Sequence, residues 1–300
     1  MDISKHTDTV FFNDTNRENW IKTIVLKRTS IAKNRSGQKR HITLSFTKEV
    51  IVGSLEPIHI VTLMCFIEHL HQIGYKVRIS AFMDVSNFLN ETLKLRKYYE
   101  GDGIISHVQS EDEKILNLWK VKQKESIMYS QSVTDYFNKN FFEGYDMTAL
   151  KNSLDEAYAN IADHSESNDN AFSYIVYDSD SNKICIGICD FGLGIPTTLR
   201  KANNKYRSDS EALSDSIKLG VTAGTNPRNR GFGLDNILSS LTDEDVSRIV
   251  SNKAMIHYDG NRENIKIFDL PFDFKGTLIY FEVSTHSFPE NEVKDEISIG

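Results

Sequence analysis

Residues 183–196 read KICIGICDFGLGIP. From Ile184 to Cys189 the run holds no charged or amide side chain, which suits a buried strand. It ends in Asp190, and a carboxylate at the end of a buried strand needs donors to hold it. Gly192 and Gly194 follow in alternate positions, then Pro196. Asp and Gly are ordinary turn formers, yet the chain beyond does not return as a matching strand. It continues as a polar, glycine-dotted stretch to Arg230. Two missing side chains would let a ligand lie against the backbone. An exocyclic amine of a base is the kind of donor that Asp190 would accept from.

The flanking sequence organises around that strand. AFSYIVYD (171–178) reads as a partner strand joined through the turn SDSN. Upstream, MTALKNSLDEAYANIADHS (147–165) is helical, with Ala149, Leu150, Leu154, Ala157, Tyr158 and Ile161 on its apolar side. Glu156 and Asn160, four apart, project from one face. An amide oxygen beside a carboxylate suits a hard cation such as Mg2+, which combines few protein oxygens with waters and phosphates. Downstream, DSEALSDSIKLG is helical and NRGFGLDNI (229–237) places Gly231 and Gly233 at the start of another helix. Backbone N–H groups there suit phosphate, and Arg228 and Arg230 add charge. No Walker-type phosphate loop is present, and the glycines do not follow the first strand as in a dinucleotide fold. KAMIHYD, ENIKIFDL and KGTLIYFEVS (275–284) read as further strands.

Taken in order, a helix with Glu-x-x-x-Asn, a strand ending in Asp-x-Gly-x-Gly, a lid-like stretch, a Gly-x-Gly-Leu opening a helix and a strand with Gly-Thr form a specific combination. It resembles the GHKL ATPase superfamily, that of gyrase, histidine kinases and MutL, over residues 147–284. EAYANIADHS (156–165) is similar to the N box, DFGLGIP (190–196) to the first glycine box, RGFGLDNI (230–237) to the second, and KGTLIYFEV (275–283) to the closing strand. The resemblance implies an α+β chain whose C-terminal part is a Bergerat-type sandwich, a mixed sheet covered by helices on one face. It implies ATP and Mg2+ as cofactors. Asp190 would bind the adenine amine, with Thr277 assisting through water. Gly192, Gly194 and Ile195 would border the adenine pocket, and Asn160 would coordinate Mg2+. Arg230, Gly231, Gly233 and Leu234 would hold phosphate at the end of a mobile lid spanning about 197–230. Glu156 would position or deprotonate the attacking water, or assist phosphoryl transfer as in the kinase branches. His164 is expected to pack or touch the lid. The expected function is that of a slow Mg-dependent ATPase, a nucleotide-controlled switch acting on a protein partner or a second subunit. An anti-sigma-type serine/threonine kinase and a non-catalytic nucleotide-binding module are the alternatives.

The first half reads differently. Residues 1–40 are polar and weakly patterned, expected to be a short helical or mobile lead-in. HITLSF (41–46) and YKVRISAF (75–82) read as strands, PIHIVTLMCFIEHLHQIG (57–74) and VSNFLNETLKLRKYY (85–99) as helices. Ile60, Leu63, Ile67 and Leu70 mark the inner side of the first helix. This alternation is an α/β module. Its pattern is similar to that of a STAS-like domain, which implies a regulatory or scaffold role. The expected division is a lead-in at 1–40, this module at 41–140, the ATP-binding part at 141–290 and a tail at 291–300, with the boundary near 130–145.

Composition limits the remaining possibilities. The net charge of −7 argues against general nucleic-acid binding. The basic segment LKRTSIAKNRSGQKRH (26–41) has no interleaved aromatics and reads as a solvated loop. His69 and His71, two apart on a helix, point apart and do not make a metal site. Cys65, Cys185 and Cys189 have no zinc-ligand spacing, and three suggest no disulfide framework. The opening MDISKHTDTVFFND lacks the regions of a signal peptide, and no apolar run is long enough for a membrane span. A cytoplasmic location is expected.

Overall fold

The computed structural model describes residues 8–31, 40–95, 107–108, 112–164, 170–218, 233–260, 263 and 265–291. Among these the strands form two sheets. The smaller has β1 (Asp8–Phe12), β2 (Arg40–Phe46) and β3 (Tyr75–Ser80) in that order, all parallel. The helix α1 (Arg17–Ser30) links β1 to β2, and α2 (Pro57–Gln72) links β2 to β3. A short helix, α3 (Met83–Asn87), then runs into a π-helical turn at Phe88–Thr92.

The expected lead-in is helical over Arg17–Ser30, and it also supplies a strand of the smaller sheet, which was not expected. Residues 8–31 form a strand and a helix because Trp20, Ile21, Ile24 and Val25 recur at helical spacing within an otherwise polar stretch, and all four are buried. The Asn16 side chain starts α1 by accepting the N–H of Asn19.

The larger sheet has β4 (His107–Val108), β5 (Ile115–Lys120), β6 (Ala171–Asp178), β7 (Lys183–Asp190), β8 (Val246–Asp259) and β9 (Lys266–Ser284), ordered β4-β5-β6-β7-β9-β8. Every neighbouring pair is antiparallel, where a mixed sheet was expected. The tight turn at 179–182 and the short link from β8 to β9 leave those neighbours no other sense.

Helices also cover both faces of this sheet, not one. On one side stand α4 (Ser126–Asn140), α5 (Thr148–His164), α6 (Ile195–Ala202), α7 (Asp209–Ser216) and α8 (Gly233–Ser239). Ile184, Ile186 and Ile188 of β7 face them, with Ile279 and Phe281 of β9. On the other side lies α2, packed against Phe172, Tyr174, Cys189, Leu278 and Tyr280. A helix held between two sheets is buried all round, and α2 is buried from Pro57 to Ile67 without a break. Gly187 makes this seating possible: a Cβ there would come within 2.8 Å of the Pro57 carbonyl carbon.

The 41–140 stretch thus supplies both the element between the sheets and two strands of the larger one, β4 and β5, since β4 pairs with β5 and β5 with β6. The expected boundary at 130–145 falls on α4 and the turn after it. ENIKIFDL and KGTLIYFEVS join in the single strand β9, and β8 begins earlier than expected, at Val246. At Asn252, where φ is 50°, the β8–β9 register slips. The end of β8 lies against the segment that precedes it, where the Tyr258 hydroxyl donates to the carbonyls of Leu241 and Thr242 at 3.5 and 3.3 Å. The chain is of the α+β class, with sheets flanked by helices. Among the described residues no helix is long and apolar enough to cross a membrane.

Candidate functional site

At one end of the larger sheet the strands place three polar residues in a row. Asp190 of β7 lies opposite Thr277 of β9, and Thr277 opposite Ser251 of β8. Side-chain alternation turns this row toward the α5 side, continuing the line of Ile188 and Ile279. Asp190 and Ser251 are 0% exposed and Thr277 is 6% exposed.

Backbone groups hold the Asp190 carboxyl at both oxygens. The Gly192 N–H donates to Oδ1 at 2.7 Å and the Thr277 N–H to Oδ2 at 3.1 Å. Ser251 ties the same strands together. Its Oγ donates to the Gly276 carbonyl at 2.8 Å, accepts the Ile195 N–H at 2.8 Å and lies 3.5 Å from the Thr277 hydroxyl. Burial pushes the Asp190 carboxyl up to about 7, while the two N–H donors and the charge of Arg28 pull the other way. The result is a buried acceptor, poised near neutrality and reached only by neutral donors and a more distant cation.

Gly194 and Gly276 serve close packing in this structure. Gly194 precedes α6 with φ 84°, and a Cβ there would lie 2.5 Å from the Asn252 Oδ1. The space expected for a ligand beside Gly194 is filled by the Asn252 side chain. That amide donates to the Leu193 carbonyl at 3.1 Å and accepts the Thr197 hydroxyl at 3.1 Å. Gly276 has φ 129°, and a Cβ there would run into the Asp190 carbonyl oxygen.

The helix α5 lies over this face, with Ala157 and Ile161 buried in the core that holds Ile188, Ile195 and Leu234. On its half-buried face the Asn160 Nδ2 donates to the Glu156 carbonyl at 2.9 Å and to Glu156 Oε1 at 3.2 Å. Both amide hydrogens are thereby directed at Glu156, which leaves Oδ1 as the acceptor. A Mg2+ that keeps waters and phosphate oxygens needs one or two protein oxygens, and Asn160 Oδ1 beside the Glu156 carboxylate is a fitting set. Among the described residues no group of three or more His, Cys, Asp or Glu could hold a metal ion.

The structure brings together Asp190, Gly192, Gly194, Ile195 and Thr277, while Glu156 and Asn160 lie on α5, whose Ala157 and Ile161 share a core with Ile195. Leu234 is buried in α8, which opens at Gly233. Arg230 and Gly231 lie outside the described residues, as does the side chain of His164. The expected lid begins with α6, which was not expected, and continues with α7, which falls within the helical DSEALSDSIKLG. These are tied down by an Arg200–Asp209 ion pair and by the Lys253 N–H donating to Asp209 Oδ2 at 3.0 Å.

Three residues of this site escaped the sequence reading: Arg28, Ser251 and Asn252. Arg28 sits in the basic segment taken for a loop. The helical spacing from Trp20 to Val25 was the signal that its backbone is α1. Nothing local marks Ser251 or Asn252, because the β9 pairing defines their position. A comparison of the chain with protein-family models finds no match, and a comparison with curated proteins finds none either.

Proposed function

We propose that this chain is a GHKL-type nucleotide-binding protein that takes ATP with Mg2+ at the Asp190 end of the larger sheet and hydrolyses it slowly. The bound and free states would control contacts with a protein partner or a second copy of the chain. The observation that carries this reading is Asp190, a fully buried carboxyl held at both oxygens by backbone N–H groups at the mouth of a glycine-rich turn. Such a group accepts from an exocyclic amine. It selects adenine over guanine, whose carbonyl would set one acceptor against another and leave both unpaired.

The neighbouring residues have roles that follow from their chemistry. The Thr277 hydroxyl would extend the polar row to a water, which can donate to a ring nitrogen. Asn160 Oδ1 would hold Mg2+, and Arg230 with the Gly231–Leu234 segment would hold phosphate. Bound Mg2+ supplies charge neutralisation at the phosphate oxygens. Glu156, oriented by the Asn160 amide, is the group suited to accept a proton from an attacking water.

Calorimetric titration of MgATP and MgGTP into the wild type and Asp190→Asn tests the reading. Saturable binding of ATP alone, lost in Asp190→Asn, is expected, together with phosphate release in a turnover assay. A folded wild type that binds neither nucleotide overturns it. Transfer of label to a protein hydroxyl instead of water would replace hydrolysis with kinase activity at the same site.

A further inference from the structure

Arg28 lies in the last turn of α1, far in sequence from the candidate site. Its Nη2 donates to the Phe191 carbonyl at 3.0 Å, and its Nη1 donates to the Lys275 carbonyl. The guanidinium carbon stands 4.1 Å from the centre of the Phe191 ring. These two carbonyls sit beside the two N–H groups that hold Asp190. Phe191 directly precedes Gly192, and Lys275 is followed by Gly276 and Thr277. One planar, rigid group therefore fixes the peptide segments on both sides of the carboxyl, which a lysine ammonium cannot do.

We propose that Arg28 is a positioning residue for the nucleotide site, a brace supplied by the N-terminal helix that holds the Gly192 and Thr277 N–H groups on the Asp190 carboxyl. This rests on the nucleotide reading of Asp190, but the contacts of the brace are a property of the fold itself.

The surroundings make the guanidinium difficult to replace. Burial pulls it below its ordinary value, and Cys65, Cys189, Asp190 and Asp273 are the groups whose charge would offset this. His69 of α2 lies beside it, and its ring meets that of Phe191 edge-on at 6.4 Å. Burial and the Arg28 charge push His69 down to about 4, so it is neutral near neutral pH and does not compete for the carboxyl. Asp190 thus feels the charge of Arg28 from α1, while Cys189 beside it on β7 points to the opposite face of the sheet. Cys65, His69 and Asp273 lie near the guanidinium, while α5 carries the buried Ala157 and Ile161 and the half-buried Glu156 and Asn160. Arg28 is the cation whose charge favours the ionised form of Asp190.

The test compares the wild type, Arg28→Lys and Arg28→Gln. MgATP affinity is measured by calorimetry across pH, and amide hydrogen exchange is followed at the Gly192 and Thr277 peptides without nucleotide. Circular dichroism and thermal melts establish that each variant is folded. The expected result is roughly tenfold weaker or poorer ATP binding in both variants. Faster exchange is expected at those two peptides but not in the β1–β3 sheet. In Arg28→Gln the pH midpoint of binding should also move upward, because the charge that favours ionised Asp190 is gone. Arg28→Lys should keep most of that midpoint while losing affinity, a split that a merely structural role would not produce. Unchanged affinity and exchange in a folded variant overturn the proposal. If the wild type binds no ATP, the nucleotide reading fails and exchange alone decides. Faster exchange at Gly192 and Thr277 then upholds the brace, and unchanged exchange overturns it.

Discussion

Asp190 carries its own signature in stability. Its ordinary value is 3.8, and burial raises it to about 7. Between those limits the folded chain holds a proton that the unfolded chain has lost, so stability falls as pH rises through the window. His69 acts in the opposite sense. Lowered to about 4 from 6.5, it weakens the fold as pH falls through that range. The difference between wild type and Asp190→Asn cancels the histidine. That difference, measured by urea unfolding at about pH 5 and about pH 8, should show the variant gaining relative stability at the higher pH. At the same scale, Gly276→Ala puts a Cβ against the Asp190 backbone oxygen at a φ of 129°. The obstacle is backbone and cannot swing aside, so a loss of about 3 kcal/mol is expected in denaturant unfolding.

Elements set the next predictions. Asn16 caps α1, and Asn16→Ala should cost about 1 kcal/mol of stability. Because α1 carries Arg28, fraying at its far end tests whether the brace depends on the whole helix. ATP affinity is expected to stay near the wild-type value, since Trp20 to Val25 anchor the helix between the two ends. On α5, Glu156 and Asn160 form one unit through the amide contact at 3.2 Å. Glu156→Gln preserves a partner for that amide while removing the base. Phosphate release should fall by about 100-fold or more with ATP binding retained. Loss of both together would mean that Glu156 holds the site and does not act on water. The α5 periodicity was legible in the sequence, since its apolar side and its Glu-x-x-x-Asn face separate cleanly. The π turn after α3 was not, because a one-residue slip in helical hydrogen bonding leaves the apolar spacing nearly unchanged.

At the scale of the whole molecule, α2 joins the two sheets into one core. Without α2 the smaller sheet and the facing side of the larger one lose their shared interior. Calorimetric unfolding is therefore expected as a single transition, with calorimetric and van't Hoff enthalpies in agreement. Gly187→Val pushes against the Pro57 backbone and should loosen this junction. Two resolved transitions in that variant, beside one in the wild type, are the expected outcome. Removing residues 1–95 would expose Phe172, Tyr174, Leu278 and Tyr280 on a sheet face, so the remaining chain should aggregate in size-exclusion runs. The all-round apolar composition of α2 was visible in PIHIVTLMCFIEHL. Reading only Ile60, Leu63, Ile67 and Leu70 as its inner side hid a second buried face.

The sequence by itself determined what depends on neighbours along the chain. Period-two and helical spacing marked β2, β3, β6, β7, α2 and α5. The apolar run closing on Asp190, with Gly192 and Gly194 after it, marked the place where a carboxyl would be buried beside a turn. Tertiary structure alone decided what depends on distant segments meeting. The all-antiparallel order of the larger sheet follows from which strands pair. The second helical face follows from where β1–β3 dock, and the filling of the space at Gly194 by Asn252 follows from the corner in β8. The reach of Arg28 to Phe191 and Lys275 spans 163 and 247 residues. No local pattern encodes such a contact, because its stabilisation exists only once burial has brought the backbone carbonyls within hydrogen-bond distance.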